Sequence, residues 1–380
     1  LKKNNVGNTD FQKMANQALI LDYLRKKGPR SRVDISNAIG LRQSTVTYII
    51  NRLSAFKIVG EVDIEYERNP RGRAPVPICI NNSYGHILGM ELGPDSCYMV
   101  VTDIQGAIVF KERISLSKGP KSFIKKAGAC YTACTAKIAS KGFNILAAGF
   151  AVPGIVDRQA GIIKNSPAHG LTEELDFTAG MSGIVKYPFI IENDANCAAQ
   201  SILWEKSAGD YENSFICFYI KNYPAAGAGR YLPGLSFSLA FNGKLYRGKS
   251  GEAGKFLDTA AGQNSKTRIS QDDIRRAFTE AKSREELLNR IFDRFGGTIS
   301  ALDLDEVYFG GDSLFDEPWL NDYSSRRKGL QDAPDIRVNP LRPFDAAYGA
   351  CAGVLSDIYA IPQVGSKANT DGLTWDSLLS

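Results

Sequence analysis

The sequence predicts an α/β protein in two parts: an N-terminal winged helix-turn-helix, followed by a body of two α/β lobes. Three observations carry this. Two short amphipathic helices meet at a glycine between Ser31 and Phe56. The positive excess lies at the amino-terminal end, where residues 1–81 carry 14 Lys and Arg against 7 Asp and Glu, and the remainder 32 against 34. Beyond residue 82 a set of strands followed by helices occurs twice, the pattern of layered α/β units. At 380 residues the chain also exceeds one ordinary hydrophobic core.

Residues 1–12 are polar and read as a flexible end, and 13–81 as the winged helix. Asn16 to Lys27 offers Leu19, Ile20, Tyr23 and Leu24 at helical spacing. Val33, Ile35, Ala38 and Ile39 give the next helix its apolar face, and Gly40 ends it, since glycine accepts the left-handed conformation at a helix end. Val46, Ile49, Ile50 and Leu53 form the stripe of the following helix. Its other face carries Arg42, Gln43, Ser44, Thr45, Thr47, Tyr48, Asn51 and Arg52, types that suit base edges and phosphate oxygens.

Spacing alone equally suits an ordinary helical hairpin whose polar face meets water. The upstream helix, two wing strands (58–62 and 76–80) and the basic tip Arg68-Asn69-Pro70-Arg71-Gly72-Arg73 favour DNA binding. Ser31, Arg32 and Arg52 are then expected on phosphates, with Arg42, Gln43, Ser44, Thr47 and Asn51 nearest base edges. Arg71 and Arg73 suit a narrow minor groove, or else form a plain solvated tip.

Seven scattered cysteines without a CxxC pair, and two histidines, argue against a disulfide framework or a zinc site. No apolar run reaches the ~20 residues of a membrane span, and the amino terminus lacks a signal-peptide core. A reducing, cytoplasmic location is expected.

The first lobe is expected over 82–195, opening with strands 86–93, 97–103 and 107–114. A helix (about 120–141), the buried strand 145–152, its continuation 155–157 and a strand at 189–192 follow. The second lobe spans 196–343, after a helix from Asp194 to Ala208. It has strands 214–220 and 235–241, a hairpin at Asn242-Gly243, helices over 270–302 and a strand 306–309. Residues 344–361 read as a helix packing back on the first lobe, rich in alanine and glycine, and 362–380 as a loose polar tail.

Three stretches then resemble a known pattern. They are Val152-Pro153-Gly154-Ile155-Val156-Asp157, Ile191-Glu192-Asn193-Asp194-Ala195-Asn196, and Asn242-Gly243-Lys244-Leu245-Tyr246-Arg247-Gly248 leading into Gly251-Glu252-Ala253-Gly254. In this order they resemble the ROK family (repressors, open reading frames, kinases), whose body is an actin/hexokinase-like sugar-kinase fold. With the winged helix, the similarity extends to its regulators of the xylose-operon and N-acetylglucosamine repressor type.

The resemblance implies a sugar-binding cleft, with departures. Glu91-Leu92-Gly93-Pro94-Asp95 stands where family kinases wrap ATP phosphates with Asp-x-Gly-Gly-Thr. Proline removes a backbone donor and Asp95 adds a negative charge. The second phosphate loop reads Gly234-Leu235-Ser236-Phe237-Ser238, bulky where close approach is needed, and Tyr223 to Pro233 looks like an insertion. ATP binding is expected to be lost. Asp194 matches the family's catalytic base and is expected to survive only as a hydrogen-bond acceptor, beside Asn193. Both types also suit a helix cap. The sugar-gripping glutamate becomes Lys255 and a zinc-ligating histidine becomes Asp258, so structural zinc is expected to be lost. Gly154, Ser166, His169, Asn193, Asp194, Glu252, Lys255 and Asp258 are the candidate effector residues, although a lone loop histidine such as His169 is more often simply at the surface.

The expectation is a sequence-specific DNA-binding transcriptional regulator. It would repress carbohydrate-utilisation genes, sense a sugar or sugar derivative, need no cofactor or metal, catalyse nothing, and act as a homodimer or dimer of dimers. The alternatives are an active ROK sugar kinase with a fused DNA-binding domain, and a ligand-independent architectural DNA binder.

Overall fold

The computed structural model describes residues 9–63, 76–116, 122–207, 214–224, 231–249, 251–254, 269–326, 334–341, 343–362 and 373–379. It opens with α1 (Thr9–Lys27), β1 (Arg30–Ser31), α2 (Arg32–Ile39), α3 (Gln43–Ala55), β2 (Val59–Glu61) and β3 (Pro77–Ile80). The three strands form an antiparallel sheet in the order β1-β3-β2. Ile20, Leu21, Leu24, Ile35, Val46, Ile50, Leu53 and Ile78 are almost wholly buried within it. Helix α1 begins earlier than the expected Asn16, so residues 9–12 are helical rather than a flexible end. No Gly or Pro interrupts the chain from Thr9 to Lys27, and reading the helix from its apolar stripe missed the polar first turns.

The first lobe contains β4 (His86–Leu92), β5 (Ser96–Asp103), β6 (Ile108–Ser115), α4 (Phe123–Ala139), β7 (Ile145–Val152), β8 (Ile155–Asp157), β9 (Ile162–Asn165), β10 (Leu175–Asp176), α5 (Phe177–Met181) and β11 (Phe189–Asn193). Helix α6 (Asp194–Lys206) leads to the second lobe, with β12 (Phe215–Pro224), β13 (Tyr231–Phe241), β14 (Lys244–Tyr246), α7 (Gln271–Thr279), α8 (Ala281–Ala301), β15 (Glu306–Gly311), α9 (Glu317–Arg326) and β16 (Asp335–Val338). Helices α10 (Asp345–Ile358) and α11 (Trp375–Leu379) close the chain.

The main sheets run β11-β7-β4-β5-β6 and β14-β13-β12-β15-β16. In each, three strands form an antiparallel meander, a fourth joins the first strand in parallel, and a fifth joins the fourth in parallel. The lobes thus repeat one topology. β12 and β13 pair from Phe215 opposite Ala240 to Pro224 opposite Tyr231. The described ends of the expected insertion, 223–224 and 231–233, are therefore strand.

Helix α10 packs on β4, β5 and β7 of the first lobe and on α6. Missing side chains permit this. A Cβ on Gly349 would lie 1.7 Å from Cys197 O, one on Gly89 2.0 Å from Ala347 O, and one on Gly149 2.3 Å from Ala350 O. One apolar cluster runs from α1 and α3 through α10 to Trp375. The last described residues are therefore not a loose tail: Trp375 is buried between the rings of Tyr84 and Tyr359, at 6.3 and 5.5 Å. A single tryptophan in a polar run leaves little periodic signal, which hid α11.

Candidate functional site

The helix-turn-helix is built by its caps. Ser31 Oγ accepts from Asp34 N at 3.1 Å and the Ser31 N–H donates to Asp34 Oδ2 at 3.3 Å, a capping box that starts α2. Gly40 ends α2 in the left-handed region at φ 70°. Burial of Val46, Ile49, Ile50 and Leu53 turns the opposite face of α3 outward. Arg42, Gln43, Ser44, Tyr48 and Asn51 are exposed, whereas Thr45 and Thr47 are half-buried.

Two of the three expected phosphate contacts are committed elsewhere. Ser31 is buried in its cap. Arg52 pairs with Asp376 of α11 at 3.1 Å and lies 3.4 Å from Gln17, because its place late in α3 turns it toward the body. Arg32 lies 3.4 Å from Glu61 of the wing, an exposed pair that little energy holds in place. Arg71 and Arg73 lie outside the described residues, as do Lys255 and Asp258.

Between the lobes lies a cavity of about 840 Å³. Gly154, Asn193, Asp194 and Glu252 line it, with Asn165, Tyr219, Lys221 and Tyr223. Asn193 caps α6: its Oδ1 accepts from Asn196 N at 3.0 Å, and its amide donates to Gly154 O at 2.6 Å and Asp194 Oδ1 at 3.0 Å. Asp194 accepts at Oδ1 from Ala195 N at 2.9 Å and at Oδ2 from the Tyr223 hydroxyl. Burial lifts the Asp194 carboxyl to about 6, against that hydrogen bond and the charge of Lys221. Glu252 pairs with Lys164 at 3.2 Å.

Two candidates fall away from the cavity lining. Ser166 is wholly buried and donates to Pro153 O. His169 packs edge-on against Phe123 at 4.6 Å, with Nε2 2.8 Å from Leu92 O. A carbonyl only accepts, so Nε2 carries the proton. Burial lowers the His169 pKa to about 4, against that hydrogen bond. The imidazole's contribution to stability is thus present above the ordinary 6.5 and is lost as pH falls through 4. Asp194, whose pKa is raised, contributes with the opposite sign over its own range. In urea unfolding from pH 7 to 4, His169→Gln is expected to lose less stability than the parent chain. Parallel losses would refute this role.

One buried cation of the cleft was not among the expected residues. Lys221 reaches across the lobes to Glu91, with Nζ–Oε1 2.9 Å, and lies 3.8 Å from Asp312. The Tyr219 hydroxyl lies 3.4 Å from Glu91 and 3.2 Å from Asp345, whose Oδ2 accepts from Gly311 N at 3.0 Å. Burial holds the Glu91 carboxyl at about 7, against the pull of Lys221. A lysine ending the apolar strand Phe215 to Ile220 was the available signal.

These residues do not fit a nucleoside triphosphate. Lys221 is paired with Glu91 Oε1 at the end of β4, Pro94 offers no N–H, and Gly234 to Ser238 lie in the β13 ladder instead of an open loop. Among the described residues no group of three His, Cys, Asp or Glu is placed to hold a metal ion. No described helix is long and apolar enough to cross a membrane.

Comparison with known proteins agrees with this architecture. Residues 87–267 match the ROK family. The xylose repressor of Staphylococcus xylosus is 27% identical over 299 residues, 79% of this chain and 73% of that one. The xylose repressor of Bacillus subtilis (strain 168) is 26% identical over 252 residues; the match takes in 66% of this chain but only 61% of the relative's length. A crystal structure titled as a ROK family transcriptional regulator, homologue of the E. coli MLC protein, superposes with a TM-score of 0.70 at 16% identity, covering 92% of this chain and 97% of that one.

Proposed function

We propose that this chain, whose residues 87–267 match the ROK family, is a DNA-binding transcriptional repressor of carbohydrate-utilisation genes, not an enzyme. The observation that carries most weight is the Lys221–Glu91 pair, which fills the strand end aligned with the kinases' phosphate loop while the polar face of α3 stays open. Two relatives named as xylose repressors support the same reading.

Helix α3 enters the major groove, with Arg42, Gln43, Ser44, Tyr48 and Asn51 toward the bases and Thr45 and Thr47 at the margin. Arg32 reaches a phosphate, and Arg71 and Arg73 of the wing reach the minor groove. One module of this kind buries little DNA surface, so a homodimer or dimer of dimers on paired half-sites supplies the affinity. Action on an operator implies a cytoplasmic location.

The effector is a sugar or sugar derivative held between the lobes by Asp194, Glu252 and the backbone at Gly154, with Lys255 and Asp258 as further contacts. A ligand that binds one lobe arrangement better shifts the population toward it. The winged helix shares an apolar cluster with α10, so that shift changes the spacing of paired winged helices and with it DNA affinity.

Retention of sheared genomic fragments by the purified chain, followed by sequencing, tests this reading. A shared operator is expected, and Asn51→Ala should weaken binding to it by about 1–3 kcal/mol while leaving non-specific DNA affinity nearly unchanged. Absence of any duplex preference at low salt, or ATP-dependent sugar phosphorylation that Asp194→Asn abolishes, would overturn it.

A further inference from the structure

The effector cavity is large, and the polar side chains of its floor are committed to one another. Its volume of about 840 Å³ is several times what one sugar ring fills, in the upper part of the ~300–1,000 Å³ spanned by small-molecule sites. Its polar floor is already knitted together. Asn193 spends its amide on Gly154 O and Asp194, and Tyr223 donates to Asp194 as a sugar hydroxyl would. Lys221 is held by Glu91. Oδ1 of Asp194 already accepts from Ala195 N and the Asn193 amide, and Oδ2 accepts from Tyr223 and keeps one further lone pair, enough to orient one ring but not a chain of rings.

Away from that floor the wall changes character. Ile155 and Leu232 present half-buried apolar faces to it, backed by the buried Val156, Leu235, Ile269 and Ile274, with Asn165, Ser236 and Gln271 spaced among them. Charge returns at the start of α7, where Asp272 and Arg275 already pair at 3.0 Å. A free oligosaccharide laid along this wall would leave hydroxyls desolvated without partners, at a cost of ~1–3 kcal/mol each. An apolar group laid there gains with every Å² removed from water.

We propose that the effector is a glycoside with an apolar aglycone: one sugar ring directed at Asp194, and an aryl or alkyl group lying along Leu232, Leu235, Ile269 and Ile274. The proposal rests on the sugar-sensing reading above and narrows its ligand class.

Calorimetric titration of the full chain tests it with probes of four kinds. These are free D-xylose and D-glucose, their phenyl β-glycosides, their methyl β-glycosides, and the disaccharides xylobiose and cellobiose. The phenyl glycoside of the preferred sugar is expected to bind at least tenfold more tightly than the free or methyl form, and more tightly than the disaccharide. Leu232→Ser, on the edge of the β12–β13 hairpin, should erase most of that advantage while leaving the free sugar's affinity within about twofold. A melting curve of the variant confirms that it is folded, and Leu232→Met should keep the preference. Equal affinity for free sugar and phenyl glycoside, or tighter binding of the disaccharide, would overturn the aglycone proposal and leave sugar sensing intact. No heat with any carbohydrate probe would overturn both.

Discussion

Lys221→Met is expected to destabilise the chain by about 3–5 kcal/mol, because it strands the Glu91 carboxylate in a site sealed from water. Asp345 lies within reach of the same tyrosine hydroxyl, so the loss leaves acidic groups close together with no cation between them. The double variant Lys221→Met, Glu91→Gln should recover most of the loss, since replacing both charges removes the uncompensated one. Urea midpoints of the three proteins at pH 8, above the Glu91 value of about 7, decide the matter. A single variant within 1 kcal/mol of the parent would show that water, not Lys221, compensates the carboxylate.

Trp375→Ala should have an effect of comparable size, about 3–5 kcal/mol for a buried tryptophan, felt as release of α11. Asp376→Ala should cost less than ~1 kcal/mol, because the Arg52–Asp376 pair is partly solvated on both sides. The ring, packed on Tyr84 and Tyr359, and not the ion pair to Arg52, is therefore what holds the C-terminal helix in place. Hydrogen exchange is the readout: Trp375→Ala should speed exchange across 373–379 and the last turn of α3, and Asp376→Ala should hardly change it. Equal acceleration in both variants would assign the docking to the ion pair.

Much of this architecture was legible in the residues. β7 and β8 lie where their apolar runs placed them, and β4, β5, β6, α6 and α10 lie within a few residues of expectation. Those elements have strong periodicity or sharp punctuation, and each buries a continuous face. What stayed hidden depends on partners distant in sequence. Nothing near Ser31 distinguishes a phosphate contact from the cap that it makes with Asp34. The destination of Arg52 is set by a residue in a C-terminal segment with no pattern of its own. Lys221 pairs with a glutamate on the other lobe, and only the fold brings those two strand ends together. The cleft was legible in part: Gly154, Asn193, Asp194 and Glu252 line the cavity, while Ser166 and His169 hold the surrounding backbone.

The seal that α10 places on the first lobe has a consequence for biosynthesis. Strands β4 and β7 leave the ribosome long before Asp345 does, and the glycine-lined face that α10 will cover stays bare while the second lobe is being made. Nascent chains consequently pass through a stage in which a nearly finished sheet exposes an oily flank, a state prone to aggregation. Chaperone demand should track the interval between those two events, and slowing translation within the second lobe should prolong the danger instead of relieving it.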